Sequence, residues 1–591
     1  MPDRGLGTRT QVVTLYRRMN MSATLGRERP AVPAAPTGPA ALSGSAAAAL
    51  ALGSGGLLVV AFPPYDLWWL APVALAIFVL TLRRRTARAG AALGALHGAA
   101  FFVPLLSWSG VYVGALPWLL LAGLQTGFLV AVGALSPRVL TLRGWPLWWA
   151  GLWVAQEALR GRIPFGGFPW GRLAFSQAGA PTLGLAGVGG IPLVSAAVAL
   201  TGALLAAAAL SLVGPGPAGR LVRPDRRDRL DRPDRPDRRD RSRVLAAAGT
   251  LAAAAVVTVG PLTLPAGRPD GAPVTVAVVQ GNVPQLGLEF NAQREAVLRN
   301  HVDATLALAR DVAARRAARP DLVIWPENAA DIDPLVNASA ARLIDSAADA
   351  IGVPILVGAI LDGPGALRSN AGIVWDPITG PGERYLKRHP VPFAETVPLK
   401  ALARRVSDKV DLVGRDVYAG TSVGALTVGP AVLGDVICYE VAYDGLVRDN
   451  VRAGAGALVV QTNNATFGLT GMSAQQFAMS RLRAVEHGRW VLVAATSGLS
   501  GIIAPDGSVR ARSELFTDDV FVETITLASG GTLASRTGAL PEAVLAGLGV
   551  LGLLAALRRT RRADGALGPA GSRDHRGARG ATGADRREVS T

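Results

Sequence analysis

Three short stretches carry reactive side chains to the ends of apolar runs. LVIW (322–325) is followed by Pro326 and Glu327; AGIVW (371–375) is followed, after a turn, by Tyr385, Lys387 and His389; and GDVI (434–437) runs into Cys438, Tyr439 and Glu440. Cys438 is the only cysteine in 591 residues. A thiol attacks a carbonyl as its thiolate, so it needs a base or a cation nearby. A carboxylate can take its proton, and a lysine can stabilise the oxyanion that then forms. Taken singly, each residue has a plainer explanation. A cysteine in an apolar strand packs a core, a glutamate after Trp-Pro caps a turn, and Lys387 sits in a basic run. The three together, each at the end of a different strand, point to one site.

The elements that must position them can be read from periodicity. Apolar, β-branched runs at 274–280, 322–325, 355–360, 371–375, 424–438, 457–463 and 490–496 predict strands, and 291–318, 337–350 and 474–488 predict helices between them. Continuously apolar strands alternating with helices imply an α/β domain, here 267–535, whose sheets are covered by other layers.

The rest of the chain is different. Half of all residues are hydrophobic, yet the formal net charge is +17. The two coexist because apolar and basic residues are segregated. A membrane span needs roughly 20 apolar residues, which predicts helical spans near 43–62, 68–82, 89–106, 112–134, 145–158, 183–213 (bending at Pro192) and 244–263, with one more at 540–557. Arginines follow the second, fourth, sixth and eighth of these. The segment 214–243 alone holds 11 Arg and 6 Asp. All lie on one side if seven spans precede the α/β domain and one follows it, and the positive-inside rule makes that side the cytoplasm. The α/β domain is then extracytoplasmic, tethered at both ends in the cell membrane. The 1–42 tail, the 214–243 insert and the basic 558–591 tail read as disordered cytoplasmic segments rather than nucleic-acid binders. The loop that follows Glu157 places Arg160 and Arg162 among Phe165, Phe168 and Trp170. It could bind a lipid headgroup phosphate or serve as an interfacial aromatic anchor.

With the segments VQGNVPQ, WPEN, KRHPVPFAE, GDVICYE and RLRAVEHGRW, the chain resembles the carbon–nitrogen hydrolase (nitrilase) superfamily. Within it, the flanking spans make it most similar to the membrane family of apolipoprotein N-acyltransferases, over roughly 43–557. The resemblance implies an αββα sandwich and a Glu327–Lys387–Cys438 triad. It also implies movement of an acyl chain from a membrane phospholipid to the α-amino group of a diacylglyceryl-modified apolipoprotein, through a thioester on Cys438. Glu327 would be the general base and Lys387 the oxyanion donor, helped by the N–H of Tyr439; Glu395 and Glu440 would orient Lys387 or tune Glu327. Arg160, Trp170 and Phe290 become candidate lipid contacts. Phe290 stands where the family often has tryptophan, and Asn463-Asn464-Ala465-Thr466-Phe467-Gly468 departs from the family's N-D-A-W-F-G.

Two other readings compete: a membrane-tethered amidase with the same triad, and a transporter or receptor whose outer domain only binds ligand. The second predicts charged residues inside spans, of which His97 and Glu157 are the candidates. The five histidines (97, 301, 389, 487, 575) lack metal-ligand spacing and no phosphate-binding loop is present, so neither metal nor cofactor is expected. A monomer is expected.

Overall fold

The computed structural model describes residues 42–111, 113–213, 238–265, 267–283, 293–406 and 414–566. Phe290, and most of the segments expected to be disordered, lie outside these residues. Among those described, seven helices come first: α1 (Gly44–Val60), α2 (Leu70–Leu82), α3 (Ala87–Leu105), α4 (Ala115–Val139), α5 (Trp145–Arg160), α6 (Ala186–Leu212) and α7 (Arg238–Val259). Residues 115–139, 181–212 and 241–263 are long and apolar enough to cross a membrane, as is 540–559 near the C-terminus. The 44–60 and 70–82 helices are apolar but shorter. At 1.5 Å per residue the 13 residues of α2 rise about 20 Å, less than a hydrocarbon core of about 30 Å.

Three expectations about these helices need correction. The bend in α6 falls at Gly189 and Gly190, which leave helical geometry, and not at Pro192. The ring of Pro192 disfavours helix just before it, and the glycine pair takes the break because Gly190 tolerates a φ of +69°. Helix α7 starts at Arg238, inside the segment expected to be disordered. Pro236 is the last helix breaker there, and the arginines beyond it are good helix formers. The C-terminal helix likewise runs on to Ala566, because the arginines at 558–562 are good helix formers.

The α/β domain comprises β1 (Pro273–Gln280), α8 (Arg294–Ala313), β2 (Leu322–Ile324), α9 (Ala338–Ile351), β3 (Ile355–Asp362), β4 (Arg368–Asp376), β5 (Gly380–Leu386), α10 (Lys400–Val406), β6 (Ala425–Val428), β7 (Ala431–Ile437), α11 (Asp444–Arg452), β8 (Ala457–Thr462), α12 (Met472–His487), β9 (Val491–Ala495), β10 (Gly501–Ile503), β11 (Val509–Arg512), β12 (Asp519–Thr526) and α13 (Leu533–Thr537). They form two six-stranded sheets, ordered β12-β1-β2-β3-β4-β5 and β11-β10-β9-β8-β7-β6. The run 424–438 is a hairpin, turning between Val428 and Ala431. Val276, Ile324, Leu433, Val459 and Leu492 fill the space between the sheets, and α8 and α9 cover the outer face of the first with Leu298, Val302 and Ile344. This is an αββα sandwich.

Helices α11 and α12 cover the second sheet, and their core does not stop there. Leu446, Phe477 and Leu482 belong to one buried cluster with Phe175, Ile191 and Val198 of the helical region. The helical region therefore packs against the second sheet's helix layer. The last helix, α14 (Leu540–Ala566), returns to pack on α5. The two backbones meet at Gly151 and Gly549, where a Cβ on Gly549 would lie 2.3 Å from the Gly151 carbonyl carbon. Small residues of this kind let helices approach closely in lipid. Gly549→Val is expected to lower the unfolding temperature of the detergent-solubilised protein, at a cost of about 1–3 kcal/mol or more. Gly547→Val, at a glycine with nothing within 4 Å of its would-be Cβ, should leave it nearly unchanged.

Candidate active site

Strands β2, β5 and β7 each deliver one candidate residue just past their last residue. β3 is parallel to β2, and β4 and β5 reverse in turn, so β2 and β5 end on the same side of their sheet. Beyond β2, Trp325 is buried and its indole N–H donates to Thr305 Oγ1 at 3.0 Å, which fixes the turn that follows. Glu327 then points inward. Its Oε1 accepts from Lys387 Nζ at 3.0 Å and from Asn370 Nδ2 at 2.7 Å, and its Oε2 accepts from the backbone N–H of Asn463 at 2.8 Å. Lys387 is fully buried between two carboxylates, with Glu395 Oε2 at 2.9 Å. Burial opposes the ammonium. The Glu327 and Glu395 carboxylates outweigh it and hold the lysine pKa well above its ordinary value.

Cys438 follows β7 directly and is 6% exposed. Its φ of +55° is left-handed, an arrangement that costs a β-carbon residue about 1–3 kcal/mol and persists only where the surroundings impose it. Burial first, then the Glu327 carboxylate, push its thiol up to about 12, against the pull of Lys387 and a side-chain hydrogen bond with Thr462. The sulfur is thus a neutral thiol at rest, next to a charged lysine and a hydrogen-bonded carboxylate.

Glu440 is the clamp on this corner. Its carboxylate accepts from Tyr385 Oη at 2.9 and 3.0 Å, from the backbone N–H groups of Arg388 (2.7 Å) and His389 (2.9 Å), and from that of Ile437 (2.9 Å). It therefore joins the Lys387 segment to the Cys438 turn through the main chain, rather than by contact with the lysine ammonium. Glu395 reaches that ammonium itself and is steadied by Asn370 Nδ2 and the Val391 N–H. His389 packs its ring 4.4 Å from that of Tyr443.

Toward the helical region stands an aromatic wall. The Tyr439 ring stacks on Trp170 at 6.2 Å and on Phe168 at 5.9 Å, and the Tyr439 and Tyr443 hydroxyls both donate to the Gly167 carbonyl. Arg160 and Trp170 are each only 1% exposed. Arg160 donates to the carbonyls of Phe168 and Trp170, and the Trp170 indole donates to Gln475 Oε1 at 2.7 Å. Both hold the 161–170 loop here, Arg160 through Nη1 alone. Glu157 is paired too, with Arg172 and the Trp153 indole. Asn370, Thr462 and the Asn463 N–H were not singled out from sequence. An asparagine inside a strand and a main-chain N–H leave no pattern that distinguishes them.

Two sheets in an αββα sandwich with glutamate, lysine and cysteine at three strand ends define a carbon–nitrogen hydrolase domain, and the model of that family matches residues 275–534. The model of the apolipoprotein N-acyltransferase N-terminal domain matches residues 54–204. Curated apolipoprotein N-acyltransferases from Mycolicibacterium smegmatis (43% identical, 85% of this chain and 83% of the relative), Azotobacter vinelandii (33%, 84% and 92%) and Pseudomonas syringae (32%, 79% and 88%) are similar along most of their length. An amidase of the nitrilase superfamily from Nesterenkonia, solved as a cysteine-to-alanine mutant, aligns over 45% of this chain and 95% of its own at 16% identity and a TM-score of 0.33. The chain belongs to the apolipoprotein N-acyltransferase family, and the curated relatives support that reading over the tethered amidase.

Glu440→Gln would turn an amide N–H₂ toward main-chain N–H donors. Each buried donor left unpaired costs about 1–3 kcal/mol, so the variant should unfold at lower temperature than wild type in a detergent melt.

Proposed function

We propose that this protein transfers an acyl chain from a membrane phospholipid to the α-amino group of the N-terminal S-diacylglyceryl-cysteine of a lipoprotein, with Glu327, Lys387 and Cys438 as the catalytic residues. The observation that carries the roles is the Lys387 ammonium, held by two carboxylates beside the protein's only thiol. A thiol pushed up to about 12 is ionised in only about one molecule in 10⁵ at pH 7, so its proton leaves as the sulfur attacks. Glu327 takes that proton while the S–C bond forms on the ester carbonyl. The oxyanion is met by Lys387, which has three N–H donors and gives two of them to Glu327 and Glu395, and by the N–H of Tyr439. Collapse breaks the ester C–O bond, and Glu327 returns the proton to the departing lysophospholipid oxygen. In the second half the lipoprotein amine attacks the thioester. Glu327 removes the amine proton and the thiol re-forms.

Glu395 would keep Lys387 in place, Glu440 would hold the loop that carries it, and Tyr439 would close the site toward the membrane. A thioester survives long enough to meet an amine only where water is kept out, a task suited to the Phe168–Trp170–Tyr439 wall. The arginine distribution supports a multi-pass protein of the cytoplasmic membrane with its α/β domain outside, acting as a monomer.

Intact-mass measurement after incubation with a defined phospholipid tests the reading. Wild type should gain one acyl chain, reversible by hydroxylamine, and Cys438→Ala should gain none. A folded protein with no adduct on any phospholipid overturns it. Glu327→Gln should slow acylation by about 10²–10⁴-fold. In the same variant iodoacetamide should label Cys438 at lower pH than in wild type, because removing a neighbouring negative charge lowers a thiol pKa; labelling rate against pH measures the shift.

A further inference from the structure

One buried carboxyl near the site takes no part in this scheme. Asp435 lies on β7, three residues before Cys438, points into the layer between the sheets and is entirely buried. Apart from an approach by the Val436 N–H that falls short of hydrogen-bond geometry, neither of its oxygens has a partner among the described residues, and neither does Oε1 of Gln461 on the adjacent strand β8. The orientation of that amide is fixed, because Gln461 Nε2 donates to the Trp325 carbonyl at 2.6 Å. Both groups crowd one spot on β4. A Cβ at Gly372 would fall 2.0 Å from Asp435 Oδ2 and 2.8 Å from Gln461 Oε1.

Glu440 offers the contrast. It is as deeply buried but accepts from a phenol and three main-chain N–H groups, as an anion out of water requires. Asp435 and Gln461 present three buried acceptor oxygens to one another, and the Gln461 Nε2 is turned away to the Trp325 carbonyl. One proton on the carboxyl corrects the deficit. Burial first, then the Glu440 carboxylate, hold the Asp435 pKa well above the usual carboxylate range, with only the Val436 N–H pulling it down to a lesser degree.

We propose that Asp435 is a neutral carboxylic acid in the folded protein, donating its O–H to Gln461 Oε1, and that this bond makes it a positioning residue for Glu327. The inference rests on the proposed role of Glu327. The relay runs from Asp435 O–H to Gln461 Oε1, and from Gln461 Nε2–H to the carbonyl of Trp325, two residues before Glu327. It ties the strand that ends in the nucleophile to the turn that carries the base, across a layer otherwise filled by aliphatic side chains. Neutrality is part of the device. A fourth carboxylate beside Glu327, Glu395 and Glu440 would add negative charge around the Lys387 ammonium and offset its pull on an oxyanion.

Asp435→Asn keeps a neutral donor of the same shape, and Asp435→Leu removes the donor. Infrared spectra of the detergent-solubilised protein should contain a protonated-carboxyl C=O band that Asp435→Asn abolishes. Acyl-enzyme formation should stay within about threefold of wild type in Asp435→Asn. In Asp435→Leu it should fall about 10–100-fold in rate, with little change in the phospholipid concentration at half-saturation, as expected when a base is displaced by a fraction of an ångström. Gln461→Met, which breaks the relay at its middle, should lose rate as Asp435→Leu does. A missing band, or an Asp435→Asn as slow as Asp435→Leu, overturns the proposal. If the acyl-transfer reading itself were wrong, wild type would form no adduct while the infrared band remained, so the two failures are told apart.

Discussion

The site depends on one buried cation. Lys387 is buried, and Glu327 and Glu395 hold it on two sides at about hydrogen-bond distance. A lone ammonium in such a place would lose its proton, and a lone carboxylate would gain one. Paired with the two carboxylates, the ammonium keeps its proton, and each partner fixes the other. Asn370 bridges the two carboxylates from its single side-chain amide, so Glu327, Asn370, Lys387 and Glu395 are locked as one unit. Breaking such a unit from one side leaves an uncompensated buried charge, which typically costs about 3–5 kcal/mol. The same unit sets the state of Cys438. Its sulfur sits near a cation that favours the thiolate and a carboxylate that disfavours it, and burial tips the balance to the thiol.

The covalent order of the chain brings this unit together through strand ends. β2, β5 and β7 are each short or plain, and each stops one to three residues before its reactive side chain. The left-handed conformation of Cys438 turns the chain from strand into the short helical turn Cys438–Ala442, where the Glu440 carboxylate folds back onto the Ile437 N–H. A carboxylate two residues after the cysteine thus braces both the turn that holds the sulfur and the loop that holds the lysine.

Much of this was legible in the sequence, for identifiable reasons. Strands buried on both faces, such as 274–280 and 457–463, are apolar over most of their length and announce themselves. The edge strands β5 and β12 do not, because one flank faces solvent and residues such as Gly382, Glu383 and Glu523 break the pattern. The reactive triplet was readable from residue type and position. Its supports were not, because the Asn463 N–H, the Asn370 amide and the Gly167 carbonyl act through groups that every chain carries in number. Arg160 shows the limit of residue type. An arginine among aromatics at a helix end suggests phosphate, and only the folded loop reveals that its Nη1 donates to two carbonyls.

The packing of α14 on α5 has a consequence in time. The sandwich is, in effect, an insertion into a helical bundle, placed between its seventh and last described helices. Helix α5 is made early, yet its partner face on α14, including the Arg162–Glu542 ion pair, lies some 380 residues further along the chain. During synthesis α5 and the loop it carries must wait, without that partner, until the whole sandwich has emerged. The helix that leads into the loop carrying Phe168 and Trp170 therefore gains its partner only with α14, the last of the described helices.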